Sequence, residues 1–226
     1  MEPVRPRPSD PRGLLIVFEG LDRSGKSTQC NLLVESLKKQ GQDVQYLRFP
    51  NRETPIGHMI NAYLNGQSEQ EDHVIHLLFS ANRWEAAQGI RDKIAAGTTV
   101  VVDRYYYSGC VYTAAKQQPS LDLAWSRQPE VGLPRPDVCI FLDIAREEQE
   151  KRGGFGAERY ERRAFQERVR QIFYELWTHE DESADVRTIN AGRCVEDVQG
   201  DIEDIVRQEL RGHDLDRQSL KSVRSW

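Results

Sequence analysis

Residues 14–28 read LLIVFEGLDRSGKST, and the order of residue types in this stretch decides the fold. Leu14-Leu15-Ile16-Val17-Phe18 is a short apolar run rich in strand formers. Gly20-Leu21-Asp22-Arg23-Ser24-Gly25-Lys26-Ser27 then fits G-x-x-x-x-G-K-[ST], and a helical pattern follows at once. Strand, glycine-rich loop and helix in that order make a P-loop. Its glycines let backbone N–H groups turn inward as an anion nest. The helix N-terminus behind the loop adds its positive end. Lys26 reaches the β- and γ-phosphates of a nucleoside triphosphate, and the Ser27 hydroxyl is a Mg²⁺ ligand. Gly20, Arg23, Ser24, Gly25, Lys26, Ser27 and Thr28 are therefore the expected ATP-binding residues.

Outward from the loop, strand and helix patterns alternate. A helix is predicted over 27–40, with Leu32, Leu33 and Leu37 on one side and Gly41 ending it. Val44 to Phe49 is a second strand closed by Pro50, and Pro55 to Leu64 a short helix. An acidic run, Glu69 to Asp72, opens a longer helix that Gly97 stops, as the helix dipole favours. There Val74, Leu77, Leu78 and Ala81 have the spacing of a buried stripe. Thr98 to Val102 is an uninterrupted β-branched run and Val138 to Leu142 an apolar one, each followed by an aspartate, Asp103 and Asp143. Such runs mark strands covered on both faces of a parallel sheet. Val186 to Ile189 is a weaker fifth. The pattern predicts an α/β fold of three layers, a parallel sheet of about five strands between helices. Ligands then gather at the carboxyl ends of the strands, where Phe49, Arg52, Asp103 and Arg104 fall.

The 226 residues suit one large α/β domain with tails. Charged residues are 30% and hydrophobic ones 38%, as in a soluble globule with ample core. A net charge of −5 argues against a nucleic-acid partner, and no apolar run approaches a membrane span. Cys30, Cys110, Cys139 and Cys194 form no C-x-x-C pair, so neither a zinc site nor a disulfide framework is suggested. They point to a reducing compartment, the cytoplasm, with the nucleus not separated from it by composition. The prolines of MEPVRPRPSDPRG predict a disordered lead over 1–12, followed by the folded domain over 13–211. The polar, aperiodic residues 212–226 predict a frayed tail.

Basic residues crowd around Gly153-Gly154-Phe155-Gly156, from Lys151 and Arg152 to Arg168 and Arg170. A glycine-hinged basic segment near a triphosphate site predicts a lid over about 146–163. The competing reading is a solvated helix whose arginines pair with Glu158, Glu161 and Glu167.

Five blocks together carry a resemblance: Asp22-Arg23 inside the P-loop, Phe49-Pro50-x-Arg52, Leu77 to Trp84 (LLFSANRW), Asp103-Arg104-Tyr105, and Phe155-Gly156-x-Glu158-Arg159-Tyr160-Glu161. In this order they resemble the eukaryotic type of the thymidylate kinase family, over about residues 13–210. The resemblance implies a P-loop kinase fold with a short lid and transfer of phosphate from ATP to dTMP with Mg²⁺. It also implies a homodimer. Catalytic roles fall on Arg23, Lys26, Asp103 and Arg104. The dTMP site falls on Asp22, Phe49, Arg52, Leu64, Phe79, Arg83, Arg104, Ser108, Gly109, Tyr112, Tyr160 and Gln166. Phe79 stacks on thymine and Arg83 hydrogen-bonds it; four residues apart, they share a helix face. Arg52 and Arg104 meet the dTMP phosphate, where the guanidinium fork binds bidentately. Asp22 meets the 3′-hydroxyl. Ser27 and Asp103 hold Mg²⁺, the latter through water, and Arg152 packs on adenine. Arg23 is the arginine supplied in cis to the transferring phosphoryl group. Asn51 departs from the family, which has an acid after Phe-Pro.

Three rivals share part of this pattern. Another monophosphate kinase has the P-loop and lid but not the block ending at Trp84. A GTPase-like switch carries [NT]-K-x-D, absent here. A dead scaffold would have lost residues that this chain retains.

Overall fold

Each apolar run of the sequence becomes a strand because helices cover the sheet on both faces. The computed structural model describes residues 12–152, 159–160, 162–213 and 219–226. In chain order the elements are β1 (Leu15–Gly20), α1 (Lys26–Lys39), β2 (Val44–Arg48), α2 (Pro55–Leu64), α3 (Asp72–Ala95), β3 (Thr99–Asp103) and α4 (Tyr106–Ala114). There follow α5 (Leu123–Arg127), a 3-10 turn (Gln128–Glu130), β4 (Val138–Asp143), α6 (Arg146–Lys151), α7 (Arg163–Leu176), α8 (Glu180–Ser183), β5 (Val186–Asn190) and α9 (Val195–His213). The strands form one parallel sheet in the order β2-β3-β1-β4-β5. The chain runs from β1 past one position to β2, returns to fill it with β3, then crosses to β4. This reversal opens a crevice beyond the carboxyl ends of β1 and β3, where Gly20 and Asp103 end their strands.

Side chains alternate between the two faces of the central strands. Leu15, Val17, Val100, Val102, Cys139 and Phe141 pack with Ile90, Ile94, Tyr105–Tyr107 and Phe173 on one side. Leu14, Ile16, Phe18, Val101, Ile140 and Leu142 pack with Leu33, Leu37, Val198, Ile202 and Val206 on the other. Cys30, Cys110 and Cys139 are buried in these layers, and Cys194 is exposed. A third cluster, Ile60, Tyr63, Leu64 and Ile75 with Phe79 and Tyr160 against it, lies over the crevice. Its helices start at strong caps: Thr54 Oγ1 accepts from Gly57 N with Pro55 next to it, and the Glu71 carboxylate accepts from His73 N and Val74 N. Among the described residues, no helix is long and apolar enough to cross a membrane.

Two expectations are overturned. The stripe predicted on α3 is not its buried face: Val74 and Leu77 are 44% and 47% exposed. The buried side is Ile75, His76, Ser80, Asn82, Arg83, Ala87, Ile90 and Ile94. Its first half is polar because those groups find internal partners. Asn82, for example, accepts from Asn51 N at 2.7 Å and donates to Asn51 O at 3.1 Å. The frayed end is also wrong over residues 219–226. Val223 is buried and exchanges backbone hydrogen bonds with Gly132 and Leu133. Trp226 stacks on His179 at 3.9 Å, and Arg127 lies over its indole. One buried valine and an indole anchor an otherwise polar segment.

Candidate active site

The P-loop turns between β1 and α1 through left-handed backbone at Arg23 (φ 64°) and Gly25 (φ 94°). At Gly20 a Cβ would lie 2.5 Å from Leu142 O, so the loop leaves the sheet only through a residue without one. Lys26 is buried and donates to Leu21 O at 2.5 Å. Burial, and then the charge of Arg104, push its pKa down to about 8 against the opposing pull of Asp22, Asp103 and Glu19. Ser27 Oγ donates to Asp103 Oδ2 at 2.5 Å, and Tyr46 OH donates to the same oxygen at 3.3 Å. The start of α1, β2 and the end of β3 thus converge on one carboxylate, with Arg48 Nε 3.9 Å away.

Arg104 follows β3 at φ 67°. Its guanidinium pairs with Asp22, donates to Ser108 Oγ at 3.1 Å and Gly20 O at 3.3 Å, and lies over the Tyr112 ring. Burial works against its charge, and Tyr112, Asp22, Glu19 and Asp103 more than restore it, holding it above the ordinary range. Asp22 also accepts from Gln166 Nε2 at 2.8 Å and Tyr112 OH at 3.3 Å. Beneath this group Glu19, wholly buried, accepts from Tyr105 N, Ser108 N and Ser108 Oγ at 2.8, 3.0 and 2.5 Å. It fixes the start of α4 and so the turn that carries Arg104.

A cleft of about 400 Å³ runs from this loop to the third apolar cluster. Asp22, Arg23, Gly25, Lys26, Ser27, Thr28, Asp103 and Arg104 line one end. Phe49, Arg52, Leu64, Phe79, Arg83, Ser108, Gly109, Tyr112 and Tyr160 line the rest. Phe49 packs on Tyr105 at 5.7 Å, and its bond to Pro50 is cis. Arg52 Nη1 donates to Asn61 Oδ1 at 2.9 Å. Arg83, 2% exposed, sends Nε and Nη2 to the two oxygens of Glu130 at 2.9 and 2.5 Å. Burial opposes its charge, and Glu130 restores it. Gly109 lies close beside it: a Cβ there would come within 2.5 Å of Arg83 Nη2 and push the guanidinium aside.

Gly20, Ser24, Gln166 and Arg152 stand outside the cleft wall. Gly20 and Ser24 lie under the loop, and Gln166 reaches the site through Asp22. Arg152 donates to Arg23 O at 3.0 Å and Ala191 O at 2.6 Å, spanning the P-loop and the end of β5. Within the predicted lid over 146–163, Arg146–Lys151 is α6, while residues 153–158 and 161 lie outside the described residues. Beyond the lid, on α7, Arg168 donates to Ala115 O and Arg170 pairs with Asp143. The Asn51 side chain accepts from Glu53 N at 3.1 Å, a turn bond rather than a contact in the cleft.

Sequence reasoning missed Glu19, Glu130, His76, Thr113 and Lys116. The last three line the cleft. His76 Nδ1 and Thr113 Oγ1 share a hydrogen bond of 2.8 Å, and Lys116 pairs with Asp72 at 2.7 Å beside the rings of Tyr63 and Tyr160. Glu19 carried one signal, an acid closing a buried strand. The others come from elements far apart in sequence.

The arrangement places a triphosphate cradle and a half-apolar pocket at two ends of one cleft, with arginines between them. Such geometry transfers a phosphoryl group from a nucleotide to an anionic acceptor. Comparison with known proteins agrees. The family described as "Thymidylate kinase" matches residues 18–202. The chain is 47% identical over 200 residues to the thymidylate kinase of Homo sapiens, covering 88% of this chain and 92% of that protein. Against the thymidylate kinase of Arabidopsis thaliana it is 48% identical over 201 residues, 89% of this chain and 73% of that one. A solved thymidylate kinase from Candida albicans superposes with a TM-score of 0.86 at 37% identity, over 95% of this chain and all of that one.

Proposed function

The chain belongs to the thymidylate kinase family and transfers the γ-phosphoryl group of ATP to dTMP, giving dTDP and ADP; on that premise we propose how its residues divide the work. The continuous cleft from Lys26 to Arg83 is the observation that carries the assignment. The P-loop and Lys26 hold the β- and γ-phosphates, and Arg152 borders the adenine. Phe79 stacks on thymine while Arg83 hydrogen-bonds it, with Leu64, Gly109 and Tyr160 completing the pocket. Asp22, with Gln166 and Tyr112 behind it, receives the 3′-hydroxyl.

Arg52 and Arg104 grip the dTMP phosphate. With a second pKa near 6, a phosphate monoester is mostly dianionic at neutral pH, so its oxygen attacks without a general base. What the reaction lacks is positive charge between two anions, and Arg23 and Lys26 supply it. Ser27 Oγ and Asp103 Oδ2, 2.5 Å apart at the mouth of the loop, are hard oxygen donors that suit Mg²⁺. Among the described residues no three His, Cys, Asp or Glu side chains cluster as metal ligands. One or two protein oxygens, with the nucleotide phosphates, are what Mg²⁺ takes at such sites. Mg²⁺ held by Ser27 and Asp103 would supply positive charge against the charge that develops on the transferring phosphoryl group.

The protein works as a homodimer in a reducing compartment, the cytoplasm or the nucleus. Support for the dimer is the apolar outer face of α3, where Val74, Leu77 and Trp84 are exposed at 44%, 47% and 42%.

The test is ADP release with ATP, Mg²⁺ and each of dTMP, dUMP, AMP, CMP and GMP, for the wild type and for Phe79→Ala. The wild type prefers dTMP, with dUMP weaker by the value of one methyl, about 1–3 kcal/mol. The variant loses dTMP affinity and keeps its KM for ATP. An unchanged KM for dTMP in the variant would overturn the base-site assignment.

A further inference from the structure

We infer that Glu130, which lines no part of the cleft, is the positioning residue for the guanidinium of Arg83. The inference rests on the reading that Arg83 contacts the base. Glu130 lies on the 3-10 turn, 47 positions after Arg83 in the chain, and is wholly buried. Its two oxygens accept from Nε and Nη2 of Arg83 at 2.9 and 2.5 Å. This fork fixes the plane of the guanidinium. Nη1 makes no hydrogen bond among the described residues, and Arg83 lines the cleft. Gly109 closes the other side: a Cβ there would lie within 3.0 Å of Nη1 and 2.5 Å of Nη2. The guanidinium is held by its far edge, and Nη1 is left for a ligand.

The carboxylate is itself held. Ser80 Oγ and Trp84 Nε1 donate to Pro129 O at 3.2 and 2.8 Å, tying the turn to the helix that bears Arg83. Gly132 N donates to Val223 O at 2.9 Å, tying it to the chain end. His76 Nε2 stands 3.9 Å from Glu130 Oε1. The fork also cancels the arginine's charge, so the pocket offers a fixed donor rather than a free cation. A fixed donor suits a carbonyl oxygen of a pyrimidine and opposes an exocyclic amino group, itself a donor. Glu130 thus sets base selectivity through Arg83 without touching the base.

The experiment compares Glu130→Gln, Glu130→Asp, Arg83→Met and the double variant Arg83→Met/Glu130→Gln, each as the full chain, by steady-state ADP release with dTMP and with dCMP. Glu130→Gln places an amide donor against an arginine donor. It is expected to raise KM for dTMP roughly tenfold, as the loss of one charged hydrogen bond does. Its kcat stays within about threefold, and its preference for dTMP over dCMP falls by a similar factor of roughly ten. Glu130→Asp keeps the charge and recovers part of the loss; it also serves if Glu130→Gln does not fold. The double variant should match Arg83→Met within about twofold, because no guanidinium remains to be positioned. An unchanged KM in Glu130→Gln, or single effects that multiply in the double variant, would overturn the inference. If Arg83→Met itself leaves KM for dTMP unchanged, the failure belongs to the reading of Arg83 as the base contact.

Discussion

Arg23 and Arg104 both sit at positive φ, 64° and 67°, a region where side chains other than glycine are strained. Each such residue costs about 1–3 kcal/mol and persists only where its surroundings hold it. Here both residues line the cleft, and the turn at Arg104 carries its guanidinium onto Asp22. Arg23→Ala is expected to lower kcat by roughly 10²–10⁴-fold, with dTMP affinity little changed, since its contact belongs to the transition state. A variant within threefold of wild type in single-turnover assays would remove Arg23 from catalysis. His76 gives a second residue-scale expectation. Burial first, then the charges of Arg83 and Lys116, push its pKa down to about 3 from an ordinary 6.5. As pH falls through 6.5 the unfolded chain takes up the proton before the native one does. The stabilisation is complete above pH 6.5 and is lost as pH falls toward 3. Melting curves of His76→Gln should therefore show a shallower fall in Tm between pH 6.5 and 4 than the wild type. Lys26 was legible in the sequence because the P-loop fixes it by local spacing, and Arg23 was marked only by the resemblance. Glu19, His76 and Glu130 were not legible, because their partners lie on other elements.

At the scale of elements, α3 carries most of the contrast. Its two ends of chemistry, capping acids and a terminal glycine, were readable from residue order. Its orientation was not. Hydrophobic spacing picked out Val74, Leu77, Leu78 and Ala81, and Leu78 does pack on the third cluster, yet the sheet and the cleft take the side with His76, Asn82 and Arg83. A binding helix defeats a periodicity argument because its inward polar groups are paid for by internal hydrogen bonds. The apolar stripe is left for another surface. On the dimer reading, Leu77→Glu places a charge in that interface, and sedimentation velocity should show a shift toward monomer at micromolar concentration. An unchanged boundary would assign the association to another face.

For the molecule as a whole, the sheet order places donor and acceptor sites at one switch point, with an apolar layer on either side to keep the strand ends fixed. A ligand that binds only this arrangement stabilises the entire fold. dTMP at about 100 times its Kd adds about 2.7 kcal/mol, a rise in Tm of roughly 5–10 °C for a domain of this size. Phe79→Ala should abolish the dTMP shift and keep the ATP shift; loss of both would mean that Phe79 is a packing residue of the third cluster. The amino-acid order by itself determined the five strands and the P-loop. Those features rest on period, spacing and local backbone chemistry, which neighbours along the chain specify. Only the tertiary structure decided which face of α3 points inward, that Glu130 holds Arg83, and that a polar tail docks through Val223 and Trp226. Each of these is a pairing between groups distant in sequence. Its free energy exists only when both partners have left water together, and nothing in the local pattern of either records the other.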